Sequence, residues 1–415
     1  MRVWPCKAQA EGHNATPVQP MPPPETPPPS HHTRAWALAG LLVCLGLSAW
    51  EARRWTGTDV PMPPAAVAAP AAHTIGKSWH MVSEGDLPQP RTAPSAHASH
   101  LLTLPEQSPD AIAAFWFAGE RESAPDVRIA MSLLDRQTQT WRDAQLVVDR
   151  HAMGTALGHG LRRLGNPVAW IDAQQRIHLF VVATGLGGWA ASRVLHLRQA
   201  PGSTDLSSLQ LDVVRVLPLS WLWNTSHLVR NPPLPLADGG MVLPLHFELG
   251  LKYPVFAWFN REGDLVGLRR ISARKDLLQP SLLALTPTHW LALMRTQSPV
   301  RRVAVVESLD AGAHWQSHAD LNQPNPDAAL ATLALAPQHF AVVQHPIPRG
   351  RHALAWQLST DGQHWSEPMS VTQGPEGNEF SYPAMTWADN SLWISYTHQR
   401  THIRWQRWQT EPKAP

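Results

Sequence analysis

The chain has 415 residues, 43% of them apolar, with 40 Pro, 20 Trp and a net charge of +2. Near-neutral charge without a Lys/Arg run excludes an electrostatic nucleic-acid binder, and this much Pro excludes a helical bundle. The two cysteines, Cys6 and Cys44, both precede the region of repeats described below, which excludes disulfide or thiol chemistry there.

Residues 1–34 are Pro-rich and polar and are expected to be disordered. Ala35 to Trp50 is a 16-residue apolar run bounded by Arg34 and by Glu51, Arg53 and Arg54. It is somewhat short of the roughly 20 residues a span usually needs. The run predicts a single transmembrane or signal-anchor helix, with a cleaved secretion signal and a buried soluble helix as alternatives. The expected location is the membrane, with the folded part in the periplasm or exterior, or secretion after cleavage. Residues 51–94 look like a Pro/Ala-rich linker.

From residue 95 to 410 the chain repeats an apolar strand, a short turn and a second apolar strand six times. The second strands start at Ile112, Ile177, Met241, Trp290, Phe340 and Leu392, so successive starts differ by 65, 64, 49, 50 and 52 residues. Short strands recurring at about 50 residues predict an all-β, six-bladed β-propeller. Such a ring gathers one loop from every blade around a central funnel. The first strands carry polar groups, mostly beside Pro: HASH (97–100), GNP (165–167), VRNPP (229–233), LQPS (278–281), NPD (325–327) and SYP (381–383). Pro at a strand entrance can be mere punctuation. Recurrence around the ring instead points to a shared polar pocket built from His97, His100, Asn166, Arg230, Asn231, Gln279, Asn325, Asp327 and Tyr382.

Two turns share a phrase. Ser308-Leu-Asp310-Ala-Gly312-Ala-His-Trp315 reads S-x-D-x-G-x-x-W, and Ser359-Thr-Asp361-Gly362-Gln-His-Trp365 is one residue shorter. A degenerate copy runs from Ser132 through Asp135 to Trp141. These turns resemble the Asp-box of sialidases and sialidase-like (BNR-repeat) proteins, and the resemblance extends over about 95–408. It implies the six-bladed fold, with Asp310 and Asp361 as peripheral, structural residues.

The same resemblance assigns candidate roles. Phe117-Ala-Gly-Glu120-Arg121-Glu122-Ser-Ala-Pro-Asp126 is similar to the stretch in which an Arg and then an Asp enter the site, making Arg121 a substrate contact and Asp126 the general acid/base. Tyr382 falls where the family carries its Tyr nucleophile, and the chain has only three Tyr. Glu248, with Glu379 second, is the candidate to take the phenol proton. Arg230, Arg295 and Arg400 are candidates for the three-Arg clamp on an anionic sugar. Asn166, Gln279, Asp327 and His100 are further substrate contacts. The family phrase at the first inner strand has an Arg where this chain reads Ser95-Ala-His97-Ala-Ser-His100. Each assignment has a bland counterpart: an ion cluster at 120–122, a packing role for Tyr382.

Gly185-Leu-Gly187-Gly188-Trp189 lacks the helix start of a phosphate loop and is expected to be a turn bringing Trp189 to the rim. No metal motif is present in the sequence, and no cofactor is expected. The reading implied is an exo-glycosidase of sialidase-like type acting on an acidic sugar or related glycan. The alternative is a non-catalytic glycan- or protein-binding propeller. A carbohydrate and the membrane are the expected partners; nucleic acid is not.

Overall fold

The computed structural model describes residues 31–56, 67, 75–76, 78–220 and 224–411. The stretch expected to be disordered lies almost wholly outside these residues, as does Cys6. The chain divides into two units, 1–51 and 52–415. The helix His31–Thr56 contains the apolar run. Its large side chains, among them Trp36, Leu42, Val43 and Leu45, are exposed. Among the described residues no helix is long and apolar enough to cross a membrane.

Residues 79–410 form six antiparallel sheets. The first five blades follow chain order, covering 95–148, 163–216, 227–270, 277–317 and 331–373. The sixth combines three strands from Phe380–Ala388, Ser391–His398 and His402–Thr410 with an outer strand from the other end of the chain, Trp79–Asp86. The span 51–94, expected to be all linker, therefore contributes a strand that closes the ring. Val67, also in that span, is buried and bridges Leu236.

The strand pattern follows from this layering. Asp110–Gly119 and Ile177–Thr184 are buried along their whole length, because each blade is covered on both faces. Such strands read as continuous apolar runs rather than alternating ones. Outer strands such as Gln145–Val148 and Met369–Gln373 are only partly buried. The core is not one mass but six seams, one between each pair of neighbouring blades.

The Asp-box turns lock these seams from outside. In blade four, Ser308 Oγ accepts the Gly312 N–H at 2.8 Å, and Asp310 Oδ1 accepts the His314 N–H at 2.7 Å. Gly312 has φ of 83°, in the left-handed region that glycine tolerates. Trp315 then packs edge-on against Phe256 of blade three, centroids 5.2 Å apart. The blade-five turn repeats the bonds, with Ser359 Oγ accepting from Gly362 N at 2.8 Å and Asp361 Oδ1 from His364 N at 2.8 Å. The degenerate copy does likewise: Asp135 accepts from Thr138 N at 2.9 Å, and Trp141 packs against Trp393 of blade six.

Candidate functional site

Four of the polar phrases stand inside the inner strands, at defects in pairing. Register breaks fall between His97 and His100, Leu164 and Pro167, Leu278 and Ser281, and Ser381 and Ala384. In blade three the same level splits the inner strand into His227–Val229 and Leu234–Pro235. A bulge leaves a residue unpaired and re-aims its side chain, and Pro is tolerated where no ladder N–H is needed. Ala98, Gln279 and Tyr382 sit in these bulges at φ of 55°, 52° and 51°. Asp327 takes φ of 61° just ahead of the blade-five inner strand.

Side chains from other blades take carbonyls at and beside the bulges. Asn166 donates to Val229 O at 3.0 Å, and Asn231 donates to Gln279 O and Pro280 O, both at 3.0 Å. Arg230, only 2% exposed, donates to Ser99 O at 3.3 Å and to Pro383 O at 2.8 Å, so it ties blade three to blades one and six. Ser281 with Thr332 and Ser99 with Ser395 complete further crossings at 2.9 Å. Burial lowers the Arg230 pKa to about 10.

Above this ring lies a charged mouth around Tyr382. The half-buried phenol ring lies 4.5 Å, edge-on, from His97, with the Arg230 guanidinium 5.3 Å from its centroid. Both His97 ring nitrogens lack a hydrogen-bond partner among the described residues. Burial first, and Arg400 second, hold its pKa down at about 3, so the ring is neutral. Glu122 Oε2 is 3.9 Å from His97 Nε2 and pairs with Arg400. Arg400 grips Glu379 through Nε at 2.7 Å and Nη2 at 3.1 Å. Arg351 reaches the same carboxylate at 3.2 Å. Arg295 donates to Asp327 at 2.5 Å and to Gln279 Oε1 at 3.3 Å. Burial opposes charge on Glu379, but the hydrogen bond and charge of Arg400 outweigh it and hold that carboxyl below its usual range. Glu248 accepts from His246 Nε2 at 3.4 Å, and the charges of Arg295 and Lys252 help keep it ionised against burial.

Several sequence-predicted residues stand elsewhere. Asp126 is exposed, and its carboxylate closes a local turn by accepting the Glu120 N–H at 2.7 Å. Arg121 is exposed as well. The loop does meet the mouth, but through Glu122. Arg230 lies beneath the mouth, not on it, and Asn166 is engaged in the inter-blade ring. The backbone of Gln279 belongs to that ring, while its side chain meets Arg295. His100 is buried and lines a separate cavity of about 360 Å³ with Leu101, Trp170, Pro233 and Leu283. Trp189 does come to the rim loop: its indole N–H donates to Ser123 Oγ at 3.0 Å. Nothing in the sequence marks Arg351, which stands in the turn PRGRH without a strand pattern.

The profile of the BNR repeat-like domain matches residues 110–394. The fold is similar to a Hadza microbial sialidase, with TM-score 0.61 and 15% identity over 76% of this chain and 66% of that one. It is similar to a Dyadobacter fermentans protein of unknown function, with TM-score 0.61 and 10% identity over 80% and 99%. A third likeness is to Trypanosoma rangeli sialidase in complex with sialic acid, with TM-score 0.56 and 12% identity over 81% and 60%. The chain thus spans less than two thirds of the length of both sialidases. At these identities the likeness is one of fold. No curated protein matches by sequence.

Proposed function

This chain belongs to the BNR repeat-like domain family, and from that premise we propose that its propeller is an exo-glycosidase of sialidase-like type acting at a glycan end. The observation that carries the reading is the placement of Tyr382. It sits on a bulge with a positive φ, half-buried, between an unpartnered neutral imidazole and a ring of carboxylates and arginines.

In the proposed reaction, Tyr382 Oη attacks the anomeric carbon while the glycosidic C–O bond breaks. A carboxylic acid on the 120–126 loop protonates the leaving oxygen. The phenol proton passes to a carboxylate, Glu248 in the first instance and Glu379 in the second. Water then cleaves the glycosyl–tyrosine bond, with the loop carboxylate now acting as base, and the departing Tyr382 oxygen takes its proton back from Glu248 or Glu379. On that loop Asp126 is favoured by the resemblance and Glu122 by its contacts with Arg400 and His97.

The test is sugar release from a panel of glycans and aryl glycosides by the full chain. Tyr382→Phe should lower release at least about 10³-fold with an unchanged melting temperature; equal release by this variant removes Tyr382 as nucleophile. Glu122→Gln and Asp126→Asn, compared on good and poor leaving groups, identify the acid. A non-catalytic glycan-binding propeller is the second reading, favoured by the turn-closing bond of Asp126. Retention of a glycan with no release by the wild type would establish it.

We also propose that the helix His31–Thr56 seats its exposed apolar side chains in a lipid surface, holding the propeller in the periplasm or exterior. Co-flotation of the full chain with vesicles, lost on deleting residues 1–56, is the expected result.

A further inference from the structure

Recognition of a carboxylate by arginine depends on a free fork: two N–H groups on one edge of a guanidinium, aimed together at the incoming oxygens. The mouth and the ring beneath it contain arginines, but each has at least two of its three guanidinium nitrogens engaged, so that no fork has both its nitrogens free. Arg400 presents Nε and Nη2 to Glu379 and Nη1 to Glu122. Arg351 gives Nη1 to Glu379 and Nη2 to the Asp327 carbonyl at 3.3 Å. Arg295 gives Nε to the Asp327 carboxylate and Nη1 to Gln279. Arg230 gives both Nη groups to carbonyls, and its one nitrogen without a partner, Nε, is buried close to Tyr382.

The cations are committed as well. Glu379 has Arg351 and Arg400 beside it, Glu122 has Arg400, Asp327 has Arg295, and Glu248 has Arg295 and Lys252. A substrate carboxylate entering here must either displace an internal one, exchanging one ion pair for another, or stand as a fifth anion. Both routes carry the desolvation of a charge with no net gain in pairing. Hydroxyl groups meet no such obstacle. Carboxylate oxygens with spare lone pairs accept O–H donors without any charge being displaced.

We infer, resting on the glycosidase reading of this mouth, that the sugar unit recognised beside Tyr382 carries no carboxylate, so that the substrate class is a neutral glycan. Glu379 is then a specificity-determining residue, since it covers the forks of both Arg351 and Arg400.

The experiment measures binding of the full chain to matched pairs of oligosaccharides. One member ends in a sialic or uronic acid; the other is the same molecule with the carboxyl reduced to the alcohol. Neutral hexose, deoxyhexose and N-acetylhexosamine ends complete the set. The reduced or neutral member should bind at least as tightly as the acid at both low and high salt. Glu379→Gln, checked for an unchanged melting curve, should then tighten the acidic member by about tenfold or more, because it frees forks that a carboxylate can use. Wild-type binding that weakens tenfold or more on reducing the carboxyl overturns the inference and leaves the glycosidase reading standing. Absence of both binding and release across the whole panel overturns the glycosidase reading, and the inference falls with it.

Discussion

The Asp-box turns and the inner-strand bulges are built from the same materials: a polar side chain, a positive φ and a neighbouring aromatic. Their bonds run in opposite ways. In the turn 308–315 every side-chain hydrogen bond closes within eight residues, while the Ala311 N–H goes to Thr288 O at 2.8 Å and Trp315 packs on blade three. In the bulges Asn231 reaches 48 residues to Gln279, and Arg230 reaches 153 residues to Pro383. The outer device is local and staples one seam. The inner one is nonlocal, ties all six blades, and leaves Tyr382 half-buried above it with His97 buried at its side. Polar groups that satisfy one another locally build structure; those held by distant partners build a site.

Acid should separate the two regions most strongly. His97 faces Arg400, Glu379, Arg230, Arg351 and Glu122, and His100 faces Arg230; burial first, then these cations, holds both pKa values at about 3. A folded-state pKa below the unfolded value of 6.5 means that stability is full above about pH 6.5 and drains as pH falls toward 3. By pH 5 each histidine should have lost about 2 kcal/mol. Denaturant titrations from pH 7.5 to 5 should show this loss, and a His97→Phe/His100→Gln pair should flatten the slope. An unchanged slope would mean that the centre is not the acid-sensitive part.

Next in size is Gly312→Val, which strikes the outer device. The position combines φ of 83° with a new Cβ 2.7 Å from the Trp290 ring. A loss of about 3 kcal/mol is expected, read as a lower melting temperature, with Tyr382-dependent turnover per folded molecule unchanged. Turnover that falls with stability would contradict the separation of periphery from mouth. Asn231→Ala, at the centre, should cost about 2 kcal/mol by leaving two carbonyls unbonded. It should also impair turnover, because the ring beneath Tyr382 loosens; stability loss alone would show that the ring does not position the mouth.

The fold was legible because blades covered on both faces turn their central strands into unbroken apolar runs, and six such runs at similar spacing stand out in any reading of the chain. The closing strand was not. Trp79-His-Met-Val-Ser-Glu-Gly-Asp86 has one covered face, is half polar, and lies in a Pro/Ala-rich stretch. The ring of polar strand entrances was legible too, as were Tyr382, Arg295 and Glu248 at the mouth. The direction of each side chain was not, since a bulge turns a residue up or down without changing the sequence pattern. Arg230 accordingly went beneath the mouth and His100 to another cavity. Between Asp126 and Glu122, four residues apart on one loop, only the approach of Arg400 from blade six distinguishes the one at the rim.

The strand Trp79–Asp86 carries a consequence for how the molecule is made. Glu84 and Gln406 bond across 322 residues, so the first strand to leave the ribosome is the last to find its partner. Until the final strand emerges, that early segment is an unpaired edge and the five preceding blades form an open arc, a species prone to sticking to its own kind. Ring closure is then a late, long-range event with a large entropic penalty. Once shut, the two ends of the folded unit hold each other, so that fraying of either terminus is resisted by the other.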